Sequence, residues 1–152
     1  MDFILEIFRR HHVNINRAAL EFTADFSRLH TFYTQSVCNR LFASGEKSIT
    51  PDNVRMICSQ LIAEHEPIFY QYRSLLTPMQ WNLLRAIARE GKVFQPNSRV
   101  FLETHKLGTP SNIQRAIESL MNKEMIYRGN DSSGTFYSVY DLFLSRWMES
   151  LQ

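Results

Sequence analysis

Cysteine is scarce: only Cys38 and Cys58 occur in 152 residues, at apolar positions of helix-like segments and without CxxC spacing. That excludes a disulfide frame and a zinc finger, and reads as two buried thiols in a reducing compartment. Charge of one sign is equally short, the formal net charge being +2. Dedicated nucleic-acid binders carry a clear basic excess or stripe, so composition alone makes no case for one. No apolar run approaches the roughly eighteen residues of a membrane span. Met1–Arg10 places its basic residues after its apolar ones, the reverse of a secretion signal, so a soluble cytoplasmic location is expected.

What is present is apolar. Such residues make up 44% of the chain and aromatics 12%, which excludes a solvated, disordered tail. A chain of this length buries one real core or two small ones. Residues 1–76 carry 8 Lys/Arg against 8 Asp/Glu, and residues 77–152 carry 9 against 7, so the slight basic excess lies in the second half.

The first half has helical periodicity. Phe3, Ile4, Ile7 and Phe8 share one face of a helix from Asp2, its expected N-cap, to about His11. A second helix is predicted from Asn16 to Phe26. A third runs from His30 to Ala43, burying Phe32 or Tyr33 with Val37, Cys38, Leu41 and Phe42, and stops at Ser44-Gly45. Thr50-Pro51 opens a fourth, whose apolar face is Val54, Ile57, Cys58, Leu61 and Ile62, with Pro67 expected to kink or restart it.

Thr77-Pro78-Met79-Gln80 is a capping box opening a helix that Gly91 stops. After a short extended run at 92–95, Ser98 caps a helix to about His105. A glycine turn at Leu107-Gly108 follows, and Thr109-Pro110 starts another helix with Ile113, Ala116, Ile117 and Leu120 inward. This order is a helix-turn-helix. Beyond Lys123 the period falls to 2 on either side of a turn at Gly129–Gly134, which reads as a hairpin, the wing. Asp141 caps a last helix. The fold class is therefore mostly α (α+β): a helical domain over 1–76, then a winged helix-turn-helix with a two-stranded wing over 77–152.

The runs LTPMQWNLLRAIAREG, KLGTPSNIQRAIESLMNKEMIYR and FYSVYDLFLSRWMESL resemble the C-terminal winged-helix portion of prokaryotic, archaeal-type ATPases of the AAA+ superfamily. Upstream, SRLHTFYTQSVCNRLF and ITPDNVRMICSQLIAEHEPIFYQYRSLL are similar to that family's small helical lid, with His30-Thr31-Phe32-Tyr33 where a His-Pro-Tyr-Tyr-like element stands. The proline is missing, and Arg28-Leu29 replace the usual glycines. The resemblance implies a parent protein that binds ATP and magnesium, with an N-terminal ATPase core as this region's partner. A P-loop needs GxxxxGK[ST] after a strand, and Ser44-Gly45-Glu46-Lys47-Ser48 lacks both the glycine spacing and the strand. No cofactor, catalytic group or metal site is therefore expected in this chain, and no triad of Ser, His and Asp can be assembled. Adjacent His11 and His12 point to different helix faces, against a metal pair.

Candidate contacts with double-stranded DNA lie on the outward face of the second helix-turn-helix helix: Ser111, Asn112, Gln114, Arg115, Ser119 and Asn122, with Arg128 on the wing. Arg reads guanine, Asn and Gln read adenine, and Ser holds phosphate. Glu118 on the same face repels the backbone, and a polar face is also what any solvated helix shows. Arg28 is a candidate nucleotide-sensing residue by the resemblance, against an ordinary surface arginine. The aromatics Tyr127, Phe136, Tyr137 and Tyr140 are expected in the core. Two alternatives stand beside the ATPase reading: a stand-alone transcription regulator that dimerises on DNA, and a protein-docking module that binds no DNA.

Overall fold

A computed structural model describes residues 2–151. The chain forms two compact units, Met1–Glu64 and His65–Gln152. The sequence places a domain boundary at Leu76; the two units part between Glu64 and His65, inside a long helix whose Phe69 packs with Trp147 of the second unit.

The N-terminal unit begins with α1 (Asp2–Arg10) and α2 (Arg17–Ser27), joined through a two-residue strand β1 (Asn14–Ile15). Asp2 lies within the first turn of α1 rather than capping it, where its carboxylate faces the positive end of the helix dipole. Asn16 caps α2, its side-chain oxygen accepting from Ala19 N at 2.7 Å. Next come α3 (Thr31–Ala43) and strand β2 (Ser48–Ile49), which pairs in parallel with β1. Phe8 stacks on Phe42 at 4.2 Å between ring centroids, and Leu20, Val37, Leu41, Ile49 and Val54 are buried. Each such side chain contributes roughly 1.5–3 kcal/mol of burial. Phe32 is 60% exposed and Tyr33 half-buried, so Phe32 does not join this core. Cys58 is buried and Cys38 half-buried, and the two are not joined in a disulfide.

Helix α4 (Pro51–Leu75) runs unbroken through Pro67. Thr50 and Asn53 exchange hydrogen bonds at its start, Thr50 N donating to Asn53 Oδ1 at 2.8 Å and Asn53 N to Thr50 Oγ1 at 3.3 Å. The expected kink does not end the helix: Pro67 is exposed, and water can take up the carbonyl that the missing N–H leaves without a helical partner.

The C-terminal unit holds α5 (Pro78–Glu90), α6 (Arg99–Thr104), α7 (Pro110–Asn122), the antiparallel strands β3 (Ile126–Asp131) and β4 (Gly134–Val139), and α8 (Leu142–Ser150). Its core gathers Phe69, Trp81 and Trp147, with ring centroids 5.4 Å apart for Phe69–Trp147 and 6.0 Å for Trp81–Trp147. The buried indole N–H of Trp147 donates to Glu66 Oε1 at 3.0 Å, which removes the cost of leaving it unpaired. Asp141 caps α8 by accepting from Phe143 N at 2.8 Å and Leu144 N at 3.2 Å. The extended run before α6 joins the sheet through Val93, which exchanges both backbone hydrogen bonds with Tyr137 at 2.9 Å. The architecture is mostly helical with a small antiparallel sheet. No helix of the described residues is long and apolar enough to cross a membrane.

Two turns differ from expectation. Between α6 and α7 the left-handed residue is Lys106 (φ 52°), not Gly108. Gly108 instead lets the end of the Met79 side chain approach, a Cβ there standing 2.9 Å from Met79 Cε. In the wing, Gly129, Asn130 and Asp131 are strand residues, and the turn shrinks to Ser132-Ser133.

Candidate nucleic-acid interface

Helix α7 is held by its apolar stripe. Ile113, Ala116, Ile117 and Leu120 are buried, leaving Ser111, Asn112, Gln114, Arg115, Glu118 and Asn122 exposed on the other side. Pro110 takes the first position, where the lost N–H costs nothing. Thr109 has extended backbone angles but makes no capping bond; its hydroxyl lies 3.3 Å from that of Ser111.

Ser119 departs from the expected set. It is half-buried and accepts from Gln80 Nε2 at 2.8 Å, while Gln80 Oε1 accepts from Thr77 N at 3.0 Å. The capping box of α5 thus extends across to α7, and Ser119 is committed inside the domain. Beside this tie, Asn112 and Arg115 rim a cleft of about 270 Å³ whose other side is Thr77, the N-cap of α5, with Met79 and Gln80 of that helix. Arg115 is exposed and makes no ion pair among the described residues. Glu118, its neighbour one turn on, is 3.4 Å from Gln114 Nε2, a weak contact.

The wing is a stiff hairpin whose own charges are partly settled. Lys92 Nζ is 2.7 Å from Asp131 Oδ2 and lies 4.4 Å above the Phe136 ring. The Lys92 hydrogen bond, with a second from the Ser133 amide, holds the Asp131 carboxyl below the usual carboxylate range. Lys92 therefore cancels the one acid of the wing and is itself used up in doing so. Arg128, exposed on β3, has no partner among the described residues. Gly129 pairs with Phe136, and a Cβ on it would come within 2.4 Å of Phe136 Cζ, so the ring's seat requires glycine.

A model of the family described as a probable winged helix domain matches residues 67–150, more than half of the chain. The chain belongs to that family. No curated protein and no solved structure matches it. The matched span begins inside α4, so the winged helix domain takes in the end of that helix along with α5–α8 and the hairpin.

Within the winged helix domain the four aromatics expected in the core divide. Phe136 is buried and Tyr137 half-buried, whereas Tyr127 is 41% and Tyr140 67% exposed, their rings meeting edge to face at 6.2 Å. Tyr127 stands on β3, which pairs with β4 on one side, and Tyr140 lies just past the last paired residue of β4. Their exposure was missed because alternation alone does not say which strand is the edge. Outside the domain, Arg28 ends α2 in the left-handed conformation (φ 49°) and is exposed.

Proposed function

We propose that this chain is a non-catalytic DNA-binding region, in which α7 lies against duplex DNA and the wing adds a phosphate contact. The observation that carries the reading is Arg115: an exposed guanidinium with no acid on it, on the open face of α7 and flanked by Asn112 at the cleft beside α5. Asn112, Gln114 and Ser111 supply hydrogen-bonding groups along the same face, and Arg128 supplies a second unneutralised cation. With two such cations on α7 and β3, affinity is expected to be modest and backbone-directed.

The test is fluorescence anisotropy with a labelled random-sequence duplex at low and moderate salt. Binding should weaken with salt, and Arg115→Ala and Arg128→Ala should each lower the slope of log K against log salt by about 1. Absence of binding at micromolar protein would end the DNA reading. It would favour a protein-docking role, for which the exposed Tyr127–Tyr140 pair and Glu118 on α7 are the supporting features.

On the resemblance described above, we further infer that the region works within an ATP-dependent parent protein, passing a nucleotide-driven change from a lid-like segment to the winged helix. ATP and magnesium would be held by an N-terminal ATPase core and not by this chain. The run Ser44–Ser48 leads from the end of α3 into β2, whereas a phosphate loop leads from a strand into a helix. Arg28 is the residue proposed to face nucleotide. A stand-alone dimeric regulator is the competing reading, and sedimentation with and without duplex separates them: a dimer on two half-sites would favour the regulator.

A further inference from the structure

Helix α3 carries two rows of residues four apart. Thr34, Cys38 and Phe42 form the half-buried row, and Thr31, Gln35 and Asn39 the outer one. Opposite them, α1 presents Phe3, Ile4, Ile7 and Phe8. Together they enclose a trough of about 630 Å³, inside the range of roughly 300–1,000 Å³ typical of small-molecule sites. Each row spans eight residues of helix, about 12 Å at 1.5 Å per residue, longer than any single side chain would fill.

Among the described residues the lining carries no charge. The charged residues of these helices are turned elsewhere: Arg10 pairs with Glu6 on α1, and Arg40 makes a two-pronged bond to Glu64 at 2.8 and 2.6 Å. Burial pushes the Cys38 thiol up to about 11, so the floor is neutral at pH 7. Hydrogen-bonding capacity is confined to one side. The carboxamides of Gln35 and Asn39 have no side-chain partner among the described residues, while Thr34 Oγ1 already donates to Ser27 Oγ at 2.8 Å. At one end Leu29, left-handed at φ 56° directly after left-handed Arg28, is held over the trough in a conformation that a leucine rarely adopts.

We propose that this trough binds an elongated, uncharged, largely apolar small molecule, its chain lying between α1 and the Thr34–Cys38–Phe42 row and its neutral polar end on the carboxamides of Gln35 and Asn39. A charged end would lose its hydration with no opposite charge to receive it.

The test uses the full chain with decanol and decanoate as probes, titrated calorimetrically at neutral pH below their micelle or solubility limits. Decanol should saturate one site and bind at least about tenfold more tightly than decanoate, a difference of about 1.4 kcal/mol. Cys38→Trp, which fills the trough, should remove decanol binding. Gln35→Lys, on the exposed rim and harmless to folding, should instead raise decanoate affinity several-fold by supplying the missing charge. No saturable decanol binding, equal affinity for the two probes, or an unchanged preference in Gln35→Lys would each overturn the proposal. So would a wild-type chain that self-associates through this face, with Cys38→Trp monomeric and decanol without effect; the occupant would then be a second copy.

Discussion

A Cβ added to Gly129 would meet three atoms of the Phe136 ring at 2.4–3.0 Å, and that ring is itself buried and covered by Lys92. Gly129→Ala should therefore destabilise the winged helix domain by about 1–3 kcal/mol, although alanine in a strand ordinarily gains over glycine. Urea unfolding of the variant checks this, and an unchanged midpoint would mean that the ring moves aside freely. Single residues were unevenly legible in the sequence. The caps at Thr77, Ser98 and Asp141 stand where they were expected, since a side-chain oxygen before an apolar-periodic run has one strong use. The inward and outward roles of Ser119 and Phe32 were not legible. Both sit at the margin of a helical stripe, where the neighbour (Gln80 for Ser119) decides the matter, and that neighbour is distant in sequence.

Among the elements, the wing couples its shape to its charge. The Asp131 carboxyl is held below its ordinary value by the Lys92 hydrogen bond and then by the Ser133 amide, so this tie is present above the ordinary carboxylate range and is lost as pH falls through the depressed value. Acidification should accordingly loosen the Ser132-Ser133 turn before the helices respond. In amide NMR spectra the Ser133 signal should shift with acid in the wild type and stay put in Asp131→Asn; a wing signal indifferent to acid in the wild type would show that the turn holds without the tie. The helices were readable because each has a full apolar stripe and recognisable ends. The β1–β2 ladder was not, since two residues per strand show no alternation. The wing was read too short because Gly129-Asn130-Asp131 has turn composition yet pairs in register with Phe136, Thr135 and Gly134. Of the candidate interface, the α7 face could be read from its helical period, whereas the cleft beside α5 depends on a tertiary approach that no local pattern encodes.

For the whole molecule, both tryptophans fall in the second compact unit, 6.0 Å apart in its core, so their emission reports that unit while far-UV circular dichroism reports both. Leu41 is fully buried in the first unit, and Leu41→Ala should cost about 2–5 kcal/mol there. Its urea transition should shift more by circular dichroism than by tryptophan emission; identical shifts would show the chain unfolding as one cooperative body. Strand β4 is flanked by β3 and by the Val93 bridge, while β3 pairs with β4 alone among the described residues. Its outer edge can therefore template a strand from another molecule, and the unneutralised charge of Arg128 along it discourages such growth. Removing Arg128 to probe nucleic-acid contact would then also unguard a seam for aggregation, and in a crowded solution turbidity would betray it before any binding assay did.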